Sequence, residues 1–270
     1  MTDMQTKLIE MLEWLHSFCV ENNIKYYAIG GTLLGAVRHN GFIPWDDDID
    51  IGMPRNEYNR FIKCMENTCQ SKYVLETPFK NKDFVYQYCK LYDTATTLIE
   101  NTRFKTKRGI FIDVFPLDGA GDSLKSSINF FCKLNKKNNF ISTKVCAVRK
   151  GRALHKNVAI IISRCIPVNW QKIAKKTDVL ASSKNFDTSN YVANFYGNWK
   201  EKEIWKREWF GNPIEREFNG AHIYIPKNFD AVLKTTYGNY MQLPPVEKQK
   251  THHDYLFLDL DKSYLRNGEK

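Results

Sequence analysis

No run of eighteen apolar residues occurs in the 270-residue chain, so no segment reads as a bilayer-spanning helix. The N-terminal MTDMQTKLIEMLEWL lacks a basic start followed by an uninterrupted apolar segment, which argues against a secretory signal and makes a cytoplasmic location the expectation. The seven cysteines are odd in number and include no CxxC pair, so neither a disulfide framework nor a zinc ribbon is indicated and free thiols are the expectation. There is neither a P-loop lysine nor a GxGxxG fingerprint, so the P-loop and dinucleotide readings lose ground. No nucleic-acid-binding motif accompanies the basic residues, and nucleic acid is not an expected partner.

What the chain does contain is enough apolar material for a large core, 43% hydrophobic with 14% aromatic, and a net charge of +10. A surface of that sign attracts polyanions, anionic membrane or anionic substrate. Much of the excess lies after residue 130, from Lys133 to Lys156. Against it stands one acidic cluster, Asp46, Asp47, Asp48 and Asp50, about fifteen residues after a glycine doublet, Gly30-Gly31.

Four aspartates in five positions repel one another unless something positive sits among them. The alternation Asp48-Ile49-Asp50-Ile51 is that of a half-buried strand, with Asp48 and Asp50 on one face and the isoleucines in the core. Two hard oxygens on one face suit Mg²⁺, which is held by one or two carboxylates plus substrate phosphate; Mn²⁺ is a second candidate. Asp46 is positioned as an auxiliary ligand, and Asp47 faces away and matters least. A solvated acidic turn after Pro44 is the plainer alternative. The glycines raise the odds of a site. Ile24–Ile29 reads as a strand, Gly30-Gly31-Thr32 breaks it, and Leu33–Val37 is helical, so main-chain N–H groups and the Thr32 hydroxyl could line a phosphate. Strand, Gly-Gly turn, short helix and a strand bearing Asp-x-Asp form the arrangement of nucleotidyltransferase-type folds.

Further along, Met4–Val20 has helical apolar spacing, and Pro54 begins a helix continuing through Tyr58, Phe61, Ile62 and Met65. Tyr73–Glu76, Val85–Tyr92, Thr96–Ile99 and Ile110–Phe115 are β-prone runs that extend the sheet. In the last, Asp113 alternates outward, either as a third carboxylate on a neighbouring strand or as an edge-strand residue. Arg38 and Lys90 are candidate phosphate contacts, the guanidinium being the better suited to phosphate oxygens. From Ser123 the composition turns to Lys-, Phe- and Asn-rich helices. The expected fold class is therefore α+β, a mixed sheet flanked by helices, with residues 1–122 as the core and 123–270 as a mainly helical part whose C-terminal motif packs back on it. His155–Trp170, with VAIIISRCIPV, is either a core helix or a surface helix resting on an anionic leaflet. Ile223–Ile225 is a final short strand, Phe229–Thr236 a helix, and His252 a phosphate or acceptor contact, since no second ligand pair at zinc spacing accompanies His252-His253.

The stretch GGTLLGAVRHNGFIPWDDDIDIGMPR resembles the signature of the LicD family, bacterial phosphorylcholine transferases similar to fukutin and fukutin-related protein. GIFIDVFPLD (Gly109–Asp118) and YGNYMQLPP (Tyr237–Pro245), followed by His252-His253, resemble further parts of that family. The resemblance implies a phosphotransferase taking a CDP-activated alcohol, CDP-choline first, to a hydroxyl of a cell-surface glycan, such as lipopolysaccharide or teichoic acid, or its lipid-linked precursor, releasing CMP. It also implies that Asp113 joins Asp48 and Asp50 as catalytic and metal-binding groups. Two alternatives share these residues: a nucleotidyltransferase using an NTP, and a basic polyanion-binding protein that retains the fold without catalysis.

Overall fold

The structure, a computed structural model, describes residues 1–68, 71–251 and 253–265. α1 (Asp3–Glu21) starts at a capping box in which Thr2 and Gln5 satisfy each other's backbone amides, and it buries Leu8, Met11, Leu12 and Leu15 as their spacing requires. β1 (Tyr27–Ala28) follows. α2 (Gly30–Arg38) then begins at the glycine doublet itself, where Gly30 adopts φ +55°, a conformation costly for any residue with a Cβ. β2 (Asp50–Pro54) runs into α3 (Arg55–Glu66), with Pro54 as the N-cap rather than the first helical residue. β3 (Tyr73–Glu76), β4 (Cys89–Asp93), β5 (Thr97–Glu100), β6 (Lys107–Arg108) and β7 (Phe111–Gly121) complete the first half.

β7 is the centre of the sheet. All eleven of its residues are buried, the near-continuous burial expected of a strand covered on both faces. Its first part pairs in parallel with β2 and antiparallel with β4, giving the order β1-β2-β7-β4-β3. Its end pairs with a strand from the second half, β8 (Tyr191–Ala193), so the sheet is mixed and curls on past the first 122 residues.

The expected boundary at 122/123 falls in the turn between β7 and α4 (Leu124–Val145). α5 (Leu154–Cys165) and α6 (Trp170–Ala181) follow, and then strands return: β8 (Tyr191–Ala193), β9 (Ile204–Lys206) and the hairpin β10 (Ile214–Phe218) with β11 (Ala221–Ile225). α7 (Phe229–Tyr237) ends at Gly238, φ +72°, and β12 (Tyr255–Asp259) pairs with β5. β11 is thus not the last strand. Trp205, Phe210, Phe218, Ile223 and Leu233 share one core with Leu8, Phe61 and Val114, so the C-terminal segments pack back on the first half. The fold is α+β with a nucleotidyltransferase-like mixed sheet. Among the described residues no helix is long and apolar enough to cross a membrane.

Candidate carboxylate centre

The strand bearing Asp-x-Asp is shorter than its alternation suggests. It begins at Asp50, and Asp46–Ile49 form the loop leading into it. Ile49 and Ile51 are fully buried, as the period of two requires. Asp50 sits directly opposite Asp113 in the parallel register of β2 and β7, and Lys90 sits opposite Asp113 from β4. Two segments more than sixty residues apart in sequence therefore bring carboxylates side by side.

The glycine doublet lies against this pair. A Cβ on Gly30 would stand 2.9 Å from Asp50 Oδ2, and one on Gly31 would stand 2.6 Å from Asp46 Oδ2, so any side chain at either position displaces a carboxylate. Thr32 is 2% exposed, and its Oγ1 accepts a hydrogen bond from the Asp50 amide at 2.8 Å. Expected to line a phosphate with its hydroxyl proton, it also places Asp50 through its oxygen. From below, Gln5 Nε2 donates to the Asp46 carbonyl at 2.8 Å and fixes the loop to α1.

Burial pushes the Asp50 carboxyl well above its ordinary range, and the charges of Asp48, Asp113 and Asp46 push it further. Burial and the neighbouring Asp48 likewise lift Asp46 to about 8. Asp48 is raised by burial, against which the His253 imidazolium acts. Asp113 is raised by burial too, with Lys90 opposing the rise. Among the described residues, ion pairs reach Asp47, Asp48 and Asp113, and none reaches Asp46 or Asp50.

Two expected residues have other partners. Lys90, expected on a phosphate, is 1% exposed: its ammonium lies 2.9 Å from Asp113 Oδ1 and 3.5 Å from Glu100, over the rings of Phe111 and Tyr86. It acts on Asp113. Arg38, also expected on a phosphate, donates to the Tyr240 carbonyl at 2.7 Å and joins α2 to the YGNYMQLPP stretch. His252 lies outside the described residues; its neighbour His253 faces the cluster. His253 Nδ1 stands 2.6 Å from Asp47 Oδ1 and its Nε2 stands 3.3 Å from Asp48 Oδ2. Asp47, expected to matter least, also accepts from Thr251 Oγ1 at 2.7 Å and ties the C-terminal segment to the loop. Although burial opposes it, hydrogen bonds from His253 and Thr251 hold Asp47 below the usual carboxylate range.

Sequence reasoning missed Tyr88, whose hydroxyl donates to Asp113 Oδ2 at 3.4 Å, and Tyr237, a half-buried phenol near the Glu203, Asp50, Asp46 and Asp48 charges. No spacing marks Tyr88. Tyr237 opens the YGNYMQLPP stretch, which was the available signal. Beside Tyr88 lies a cavity of about 290 Å³ whose walls include Tyr86, Gln87 and the carboxamides Asn135, Asn138, Asn139 and Asn198.

A divalent cation fits this donor set. Asp46 and Asp50 are hard oxygens with no cationic partner among the described residues, and Asp113 Oδ1 is buried with no hydrogen-bond partner beyond its ion pair. Among the described residues no three His, Cys, Asp or Glu side chains form a ready-made metal cage. Mg²⁺ takes one or two carboxylates and completes its shell with water and substrate phosphate.

His253 yields a pH prediction for the metal-free protein. Burial lowers its pKa, but the Asp47 hydrogen bond and the Asp48 charge outweigh burial and raise it from 6.5 to about 9. Below 6.5 the imidazole is charged in the folded and unfolded chain alike and the ion pairs contribute fully. As pH rises through 9 the native proton leaves, and up to about 3 kcal/mol of stability goes with it. Urea unfolding in EDTA at pH 6, 7.5 and 9 should show this decline in the wild type and a flatter profile in His253→Gln; equal slopes would refute it.

A strand–Gly-Gly–helix–strand corner, with Asp50 and Asp113 facing each other across parallel strands, is the arrangement of nucleotidyltransferase-type folds. The family model described as LicD/FKTN/FKRP, nucleotidyltransferase domain, matches residues 23–145. The lipopolysaccharide cholinephosphotransferase LicD of Haemophilus influenzae is 32% identical over 257 residues, covering 93% of this chain and 95% of its own. Ribitol 5-phosphate transferase FKRP, human and mouse, is 53% identical over 30 residues, 11% of this chain and 6% of its own. The chain belongs to the LicD family.

Proposed function

We propose that the chain is a phosphotransferase that moves phosphocholine, or a related phospho-alcohol, from a CDP-activated donor to a hydroxyl of a cell-surface glycan or its lipid-linked precursor, with release of CMP. The observation that carries this reading is Asp50 facing Asp113 in register beside Gly30-Gly31, in a family where a full-length relative is named a lipopolysaccharide cholinephosphotransferase. The acceptor oxygen bonds the phosphorus that carries the alcohol, and the bond from that phosphorus to the CMP oxygen breaks. Phosphoryl transfer needs placement and charge neutralisation more than covalent help.

Asp48 and Asp50, with Asp46 and Asp113 beside them, would hold Mg²⁺, or Mn²⁺ in its place. When bound, the cation neutralises charge on the donor's pyrophosphate oxygens. The α2 N-terminus at Gly30-Gly31 offers main-chain N–H groups and a positive dipole end to the same oxygens. Asp113 is the group for the acceptor's proton, because a carboxylate whose pKa burial has raised is a stronger base than a solvated one. Lys90 and Tyr88 position it. The carboxamide-lined cavity next to Tyr88 suits a hydroxyl-rich sugar approaching Asp113.

Incubation with CDP-choline, CDP-glycerol, CDP-ribitol and CDP-ethanolamine, each with and without EDTA, tests the proposal. One donor should yield CMP, with release lost in EDTA and restored by Mg²⁺ or Mn²⁺. Pyrophosphate from an NTP, with no CMP from any donor, would replace this reading by nucleotidyl transfer.

A further inference from the structure

α5 is built the wrong way round for a helix on a water-facing surface. Leu154, Val158, Ile161, Ile162 and Cys165, at i, i+4, i+7, i+8 and i+11, form one stripe, and all five are exposed, Leu154 to 79%, Ile161 to 52% and Ile162 to 58%. The stripe continues into the exposed Ile166 and Val168 of the following turn. The opposite side holds the helix to the protein through polar contacts. Lys144 of α4 donates to the carbonyls of Ser163 and Ile166, Arg164 donates to the Cys146 carbonyl, and Asn157 exchanges hydrogen bonds with the Arg149 backbone. A globular surface helix places its apolar stripe inward and its polar face in water; α5 does the reverse.

Charge says what covers it. From Ser123 to Thr177, α4, α5 and most of α6, the sequence contains thirteen Lys and Arg and no Asp or Glu, which is more than the whole net charge of +10. Lys150 and Lys156 flank the start of the stripe, and Lys172, Lys175 and Lys176 follow its end, all exposed. Between α4 and α6 a shallow groove has Phe140 and Ile173 as its floor and Lys136, Lys137 and Lys176 as its rim. An apolar stripe within a field of one sign matches the boundary of an anionic bilayer, where acyl chains receive the isoleucines and phosphate headgroups receive the lysines.

We infer that the α4–α6 face is a peripheral docking surface for anionic phospholipid, with α5 lying in the interface plane. Arg149, in the turn leading to α5, also lines the carboxamide cavity beside Tyr88, so docking would set that cavity next to the membrane.

Full-length protein should co-sediment with vesicles of phosphatidylcholine containing 30% phosphatidylglycerol and at least tenfold less with phosphatidylcholine alone, with binding falling steeply at 0.5 M NaCl. Ile161→Glu/Ile162→Glu, at two exposed positions remote from the carboxylates, should reduce anionic-vesicle binding at least tenfold while leaving the unfolding midpoint unchanged. Absence of binding to anionic vesicles, or binding unaffected by the double substitution, overturns the inference. So does a concentration-dependent dimer that the same substitution abolishes, which would make the stripe a self-association face.

Discussion

Asparagine in place of Asp50 is expected to lower kcat/KM for CMP release by three orders of magnitude or more, about 4 kcal/mol of transition-state stabilisation, while the metal-free protein becomes no less stable. The two effects have one cause. Asp50 is crowded by Asp48, Asp113 and Asp46 with no cationic partner among the described residues, so its charge costs folding free energy and is retained for what it binds. Asp48→Asn should lose activity to a similar degree, with His253 still held by Asp47. Asp113→Asn should differ. It too removes turnover, but it leaves the buried Lys90 ammonium with only Glu100 at 3.5 Å, and stability should fall by about 2 to 3 kcal/mol. Single-turnover CMP release at saturating Mg²⁺, set beside urea unfolding in EDTA, separates the cases. Wild-type turnover in Asp50→Asn would remove the carboxylate centre as the seat of the reaction.

Which parts of this centre could be read from the sequence follows from the range over which each is determined. The period-two burial of Ile49 and Ile51 and the exclusion of Asp48 and Asp50 from the core are local consequences of strand geometry and were legible, as was the amphipathic α1. The pairing of Asp50 with Asp113 was legible only through family likeness, because strand order is set by contacts across the whole core. Lys90 shows the limit most plainly. A lysine in a β-prone run reads as a surface charge or a phosphate contact, and only the register of β4 on β7 turns it inward against Asp113. The part of Thr32 in placing Asp50 was not legible, because the sequence does not show that the amide of Asp50, eighteen residues on, donates to its oxygen. Asp47 read as a bystander because its partners, Thr251 and His253, lie more than two hundred residues away. The outward stripe of α5 has the spacing of a core helix, and only its placement in the fold shows which side the protein covers.

Arg55, the last residue of the longest motif, should be the most expensive single position for stability. Its guanidinium grips Asp118 with two parallel hydrogen bonds, 2.7 and 2.6 Å, and reaches Asp178 at 3.0 Å, while the Tyr196 hydroxyl donates to the same Asp178 oxygen at 2.9 Å. Burial raises the Asp118 carboxyl and Arg55 opposes the rise; burial also weighs against the Arg55 charge, but Asp118 and Asp178 overcome it. The network joins the start of α3 to β7 and to α6, and so couples the helices of the second half to the strand that carries Asp113. Removing one member of a buried pair strands the other charge, so Arg55→Met should cost about 3 to 5 kcal/mol in urea unfolding. Arg55→Lys should recover only part of this, because an ammonium cannot reproduce the two-pronged grip. Combining Arg55→Met with Asp118→Asn should recover more, since it removes the orphaned carboxylate as well as its partner. A loss below about 1 kcal/mol for Arg55→Met would mean that α6 is held in place by Ala174, Thr177 and Ala181 packing alone and that the ion network is incidental to it.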